Sequence, residues 1–335
     1  MSADRPPTIV PPAALRWATL KKTPGRPKVS DTPSGGQTIS GWVGGALMTP
    51  EAAAASPWLH EEVARRMEER LQWIKLQPRR WVHWEPVRGG LAAHAALALR
   101  YPKATGFVVE PSPERARRAS EALRKSWWSR SFWGGTAPIF EPPEPGSAQM
   151  LWANMALHMA ADPQALVQQW HQALEAEGFL MFSCLGPDTL VELRDLYRAL
   201  GWPPPAHEFT DMHDWGDMLV RAGFAEPVMD MERITLTFET GQRALDELRQ
   251  LGRNLAVGRF QALRGRRWRD QLVQALDGRG AAQAGPHRVS LSFEVIYGHA
   301  LKARPRLNVR SETTLSLEEM RRVLQQGKGG PKGLT

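Results

Sequence analysis

The chain has 335 residues, 42% hydrophobic and 23% charged, which is globular rather than disordered or fibrous composition and needs no disulfide or metal to complete a core. A single cysteine, Cys184, excludes an intrachain disulfide and any multi-cysteine metal site. The net charge of +8 sits at the ends, with +4 in residues 1–50, +5 in 301–335 and −1 between, so a basic nucleic-acid-binding body is not expected.

Residues 1–50, rich in Pro, Gly, Ser and Lys, read as a mobile basic tail. Residues 303–335 read as a second tail with one helix-like piece at Thr314–Gln326. No run approaches the roughly 20 apolar residues that cross a bilayer, and the N-terminus lacks a secretory apolar core, so a cytoplasmic protein is expected. The first firm element opens at Ser56-Pro57, an N-cap followed by proline at the first helical position. Leu59, Val63, Met67, Leu71 and Ile74 continue it as one apolar stripe, and Gln77-Pro78 stops it.

Alternation follows. Trp81–Trp84 reads as a strand, Leu91–Arg100 as a helix, Gly106–Glu110 as a strand, Ser112 to about Lys125 as a helix and Gln149–Ala153 as a strand. Asp162-Pro163 opens a helix with an apolar face at Leu166, Val167, Trp170 and Leu174, closed by Gly178. Phe179–Cys184 is a continuous apolar strand. Such strands, separated by helices, predict a parallel sheet in an α/β domain. Further on, helices are expected at Leu190–Leu200, Asp211–Ala222, Thr240–Leu251 and Gly265–Leu276. Val228–Phe238 and the alternating, half-exposed Val289–Tyr297 are expected to form an antiparallel pair at one sheet edge.

Doubly wound sheets bind ligands beyond the carboxyl ends of their strands. That places the candidate site on the loops after Trp84, Glu110 and Ala153. In the first, Glu85 is followed by Gly89-Gly90 at the start of a helix, where backbone N–H groups can approach a ligand; a simple turn is the plain alternative. Glu110 is placed to accept ribose hydroxyls, or is merely a strand end. Asn154 either sits beside the same cleft or caps a turn.

The stretches LWANMALHMAADPQALVQQWHQALEAEGFLMFSCLGPDTL (151–190), DMHDWGD (211–217), ELRQLGRN (247–254) and EVIYGHA (294–300) resemble S-adenosylmethionine-dependent methyltransferases. Within that superfamily the chain is most similar to the malonyl-acyl-carrier-protein O-methyltransferases of biotin synthesis, over roughly Pro57–Ala300. The resemblance implies a doubly wound, seven-stranded Rossmann-like sheet over residues 51–302, with a helical cap at 240–287 inserted before the last strand. It implies S-adenosylmethionine as methyl donor and malonyl-acyl-carrier protein as partner; hydropathy and the charge distribution already argue against a membrane and against nucleic acid. The implied donor site comprises Glu85, Gly89, Gly90, Glu110 and Asn154.

The first loop departs from the family pattern. Val87 and Leu91 stand where the first and third glycines belong, Gly89 keeps the second, and Pro86 removes a backbone donor. Val87 cannot take a left-handed backbone cheaply. Arg88 could grip a carboxylate or repel a sulfonium, and the sequence leaves both open. A catalytically degenerate binding protein is therefore the competing expectation. Segment 127–148 aligns poorly with the family.

A malonyl carboxylate is already ionised at neutral pH, so no general base is expected and no side chain is singled out as catalytic. No His spacing suggests a metal site. The inserted segment carries Arg253, Arg259, Arg264, Arg266, Arg267 and Arg269. With Asn254, the arginines at 253, 259, 264, 266 and 267 are expected to meet the acidic carrier protein; a solvated basic face is the plain alternative.

Overall fold

A computed structural model describes residues 56–128, 136–282 and 288–304, and residue 318. The chain divides into two compact units, Met1–Ala303 and Arg304–Thr335. The described residues of the first build the fold. The tail expected at 1–50, and nearly all of that expected at 303–335, lie outside the described residues.

Six strands form one mixed sheet: β1 (Arg80–Trp84), β2 (Thr105–Val109), β3 (Ala148–Ala153), β4 (Leu174–Leu185), β5 (Phe224–Phe238) and β6 (Val289–Lys302). Their order is β2-β1-β3-β4-β6-β5. The first four run parallel, and β6 is antiparallel to both β4 and β5. The chain winds outward in both directions from β1 and β3, which puts the switch point, and the ligand crevice, between them.

Among the described residues six strands are found, not the expected seven. The seventh place, outside β2, is taken by a single parallel bridge between Phe107 and Ile139. Ile139 donates to the Gly106 carbonyl at 2.9 Å and accepts from the Val108 N–H at 2.7 Å. Among the described residues the pairing stops at this one residue.

Helices cover both faces. One core joins α1 (Trp58–Arg70), α3 (Leu91–Arg100), α6 (Val191–Ala199), α8 (Gly241–Leu251) and α9 (Arg266–Ala282) to the sheet through Leu59, Leu97, Leu196 and Leu272. The other places Val167 and Trp170 of α5 (Pro163–Ala173) and Trp215 of α7 (Met212–Arg221) against Leu180 and Phe182. Ala119 and Leu123 of α4 (Pro113–Trp128) pack on Val87 and Val108. Side chains of Asp162, Asp211 and Thr240 cap α5, α7 and α8.

Three local expectations are corrected. Ser56 does not cap α1: its hydroxyl donates to Val87 O and accepts from Leu91 N, both 3.2 Å, leaving Pro57 at the cap. Leu174 opens β4 rather than closing α5, and Gly178 lies within that strand, where a Cβ would stand 3.0 Å from the Ala148 carbonyl. β6 pairs antiparallel with β5 at the sheet edge as expected, but it is buried along most of its length instead of half-exposed, because Phe293 and Val295 enter one core and Ile296 and Ala300 the other.

Among the described residues, no helix is long and apolar enough to cross a membrane.

Candidate functional site

The loop after β1 carries the first candidates. Instead of an open glycine turn it winds into a one-turn helix, α2 (Pro86–Gly89), with proline at its first position, where no N–H is needed. The left-handed backbone falls on Glu85 (φ 50°) and Gly90 (φ 122°), so Val87 is spared it. Glu85 is buried and its Oε2 lies 3.3 Å from Arg115 and 3.5 Å from Arg88.

Each backbone N–H from Val87 to Ala92 is engaged within the protein. Val87 N donates to Glu110 Oε1 at 2.7 Å. Arg88 and Gly89 donate to the Glu85 carbonyl, and Gly90 donates to that of Pro86. Leu91 donates to Ser56 Oγ and Ala92 to the Glu61 carboxylate at 3.3 Å. Helix α1 thus reaches across and caps α3, whose N-terminus would otherwise face the crevice. Burial pushes the Glu61 carboxyl up to about 7.

Glu110, at the end of β2, keeps one enclosed oxygen: Oε2 has no hydrogen-bond partner among the described residues. Burial, and then the neighbouring Glu85 carboxylate, push its carboxyl up to about 8. Asn154, fully buried after β3, donates to the carbonyls of His60 (2.8 Å) and Gly89 and accepts from Ser183 Oγ at 2.5 Å. Its own carbonyl lies 2.6 Å from where a Cβ on Gly89 would stand. The structure therefore brings Glu85, Gly89, Gly90, Glu110 and Asn154 together, bonded largely to one another and to the scaffold.

Sequence reasoning missed the histidines beside them. His60 Nδ1 lies 2.7 Å from the Arg88 carbonyl, and His207 Nε2 lies 2.9 Å from that of His158. The Phe209 ring packs against both His158 and His207. Burial lowers His60 to about 4 and drives His158 and His207 down as well, so all three are neutral at pH 7. Only the fold brings residues 60, 158 and 207 together, and their spacing gave no signal.

The inserted segment after α8 starts over the turn that follows β3: a Cβ on Gly252 would lie 3.2 Å from the Met159 methyl. Asn254 is held by Pro204 O (2.6 Å) and Ala256 N (2.9 Å), so it shapes the loop. Arg259 donates to its own loop at Ala256 O. Arg264 lies over four rings, Trp268 at 4.5 Å, Phe260 at 4.6 Å, Trp202 at 5.5 Å and Tyr197 at 5.9 Å. Arg253, Arg266 and Arg267 are exposed, as are Val257, Phe260 and Leu263. The patch therefore joins positive charge to bare apolar side chains.

No protein-family model matches the chain. A malonyl-[acyl-carrier protein] O-methyltransferase of Gallionella capsiferriformans is 38% identical over 265 residues, covering 77% of this chain and 89% of that one. The chain belongs to the malonyl-acyl-carrier-protein O-methyltransferase family. The protein of that name from Laribacter hongkongensis is 37% identical over 258 residues, covering 74% of this chain and 84% of its own. Among solved structures, the YcgJ protein from Bacillus subtilis covers 73% of this chain at 11% identity, with a TM-score of 0.47.

Proposed function

We propose that the chain methylates the free carboxylate of a malonyl thioester carried on acyl carrier protein, with S-adenosylmethionine as donor, in a cytoplasmic biosynthesis of the biotin type. The observation that carries this reading is the 38% identity maintained over 265 residues, which spans nearly the whole Gallionella relative.

The chemistry asks little of proton transfer. A carboxylate with a pKa of about 4 is ionised at neutral pH and attacks as it stands. The protein's task is to hold that oxygen in line with a methyl group and to exclude water. Neutral His158 and His207, packed on Phe209, supply a desolvated wall beside the crevice without adding charge.

The two ends of the donor fare differently. At the adenosine end, Oε2 of Glu110 has no partner among the described residues and can hydrogen-bond a ribose hydroxyl, as donor when protonated and as acceptor when ionised. At the methionine end, the described conformation does not fit the donor. The N–H groups that would cradle it are engaged, and the Arg88 guanidinium occupies the crevice between Glu85 and Ala156.

For the carrier protein, the exposed Arg266 and Arg267 beside Phe260 and Leu263 offer charge complementarity to an acidic helix, with apolar anchors. Arg253 and Arg259 frame this patch, while Arg264 and Asn254 organise it from within.

The closed donor end favours a second reading, a binding partner of methyltransferase fold without catalysis. Complementation of a biotin-requiring bacterium that lacks its own methyltransferase separates the two. Growth without biotin supports the enzyme; no growth despite verified soluble expression supports the partner.

A further inference from the structure

The Arg88 side chain is the least satisfied element of the loop. It is 8% exposed, with one amino nitrogen 3.2 Å from the Ala156 carbonyl and 3.5 Å from Glu85 Oε2. Its Nε is enclosed and has no hydrogen-bond partner among the described residues. A guanidinium offers five donors, and a buried one that leaves some unmet is held in place at a cost. Arg88 links two loops that a doubly wound fold leaves separate around its crevice, those after β1 and β3. Asn154 ties the same loops through the Gly89 carbonyl.

We propose that Arg88 is a latch: it fastens the loop after β1 to the loop after β3 and closes the methionine end of the donor site. The site opens when the guanidinium leaves Ala156 and Glu85 for solvent. The inference rests on the donor assignment above.

The geometry makes this exit feasible. When Arg88 leaves, Glu85 keeps Arg115 at 3.3 Å and is not stranded as an unpaired buried charge. The Ala156 carbonyl retains the Met159 N–H at 3.2 Å. Helix α2 has a single turn, and Gly90 follows it with a φ of 122°, so the segment carries a hinge at its own end. Movement of the loop about Gly90 releases the Val87 N–H from Glu110 Oε1, and unwinding of the single turn frees those of Arg88 and Gly89.

Two measurements on the full chain test the latch: backbone amide exchange over Val87–Ala92, and calorimetry with S-adenosylhomocysteine. R88A is expected to exchange at least about tenfold faster across those amides, with β3 unchanged, and to bind S-adenosylhomocysteine about tenfold tighter than wild type. If R88A does not fold by thermal melting, R88Q replaces it, since it keeps an N–H for Ala156 and loses the charge on Glu85. Unchanged exchange beside unchanged, tight binding overturns the latch and leaves the donor assignment standing. Faster exchange with no binding to either protein at millimolar ligand overturns the donor assignment and the latch with it.

Discussion

The backbone N–H of Val87 lies 2.7 Å from Oε1 of Glu110, so the residue in place of the loop's first glycine caps the carboxyl proposed to bind a ribose. The other oxygen of that carboxyl is enclosed and has no hydrogen-bond partner among the described residues. The loop and the acidic strand end thus form one closed unit, and the predictions follow from how that unit is held.

Glu110 is easier to protonate in the fold than in the unfolded chain, about 8 against 4.5. A raised carboxyl favours folding below its unfolded value and loses that contribution as pH rises through the folded one. Melting curves between about pH 5 and 9 should show the wild type losing Tm with rising pH. Glu110→Gln keeps an acceptor for Val87 and cannot ionise. It should match the wild type at the acid end and melt higher at the alkaline end. Parallel curves would show that Glu110 does not titrate in that range.

Gly89 has no room for a side chain, because its Cβ would meet a backbone carbonyl at 2.6 Å. Gly89→Ala should destabilise the chain by about 1–3 kcal/mol in denaturant titrations. Gly216, inside α7 with nothing within 4 Å of its Cβ position, provides the contrast. Gly216→Ala should stabilise by about 0.5–1 kcal/mol. Equal effects at the two sites would contradict the packing described here.

Ser183 donates to Asn154 Oδ1 at 2.5 Å and accepts from Met155 N at 3.1 Å, with Ser183 and Asn154 both fully buried. Ser183→Ala leaves that amide oxygen unmet and should cost about 1–3 kcal/mol of unfolding free energy. A neutral result would mean that Asn154 is satisfied in some other way.

The patch proposed to dock the carrier is probed at its exposed positions. Reversing Arg266 and Arg267 to Glu should weaken malonyl-acyl-carrier-protein binding by about tenfold at low salt, with the difference shrinking as salt rises. Leu263→Asp should weaken it by a similar factor with less salt dependence. Arg264 is a poor probe because it packs on four rings, so its loss disturbs the insertion itself. Affinity unmoved by either variant would place docking elsewhere.

Local chemistry was legible in the sequence. The cap at Asp162, the helix starts at Asp211 and Thr240 and the apolar runs of β1 and β4 form as their residues dictate. What was not legible depends on distance along the chain. Ser56 reads as a helix cap because its partners, Val87 and Leu91, lie 31 and 35 residues away. The alternation in β6 suggests an exposed face, yet the cores on both sides of the sheet bury it. Among the described residues the seventh place holds a single bridge, and that Ile139 meets Phe107 there shows only in the fold. The five donor-side candidates were found as residues, but their mutual bonding, and the role of Arg88 within it, required the fold.

The most direct test of the methyltransferase assignment is to incubate purified full-length chain with S-adenosylmethionine and malonyl-acyl-carrier protein, then read the carrier by mass spectrometry. One methyl ester per malonyl group is predicted, formed faster by R88A than by wild type. Unmodified malonyl carrier with both proteins, under conditions where a family relative esterifies it, would contradict that assignment.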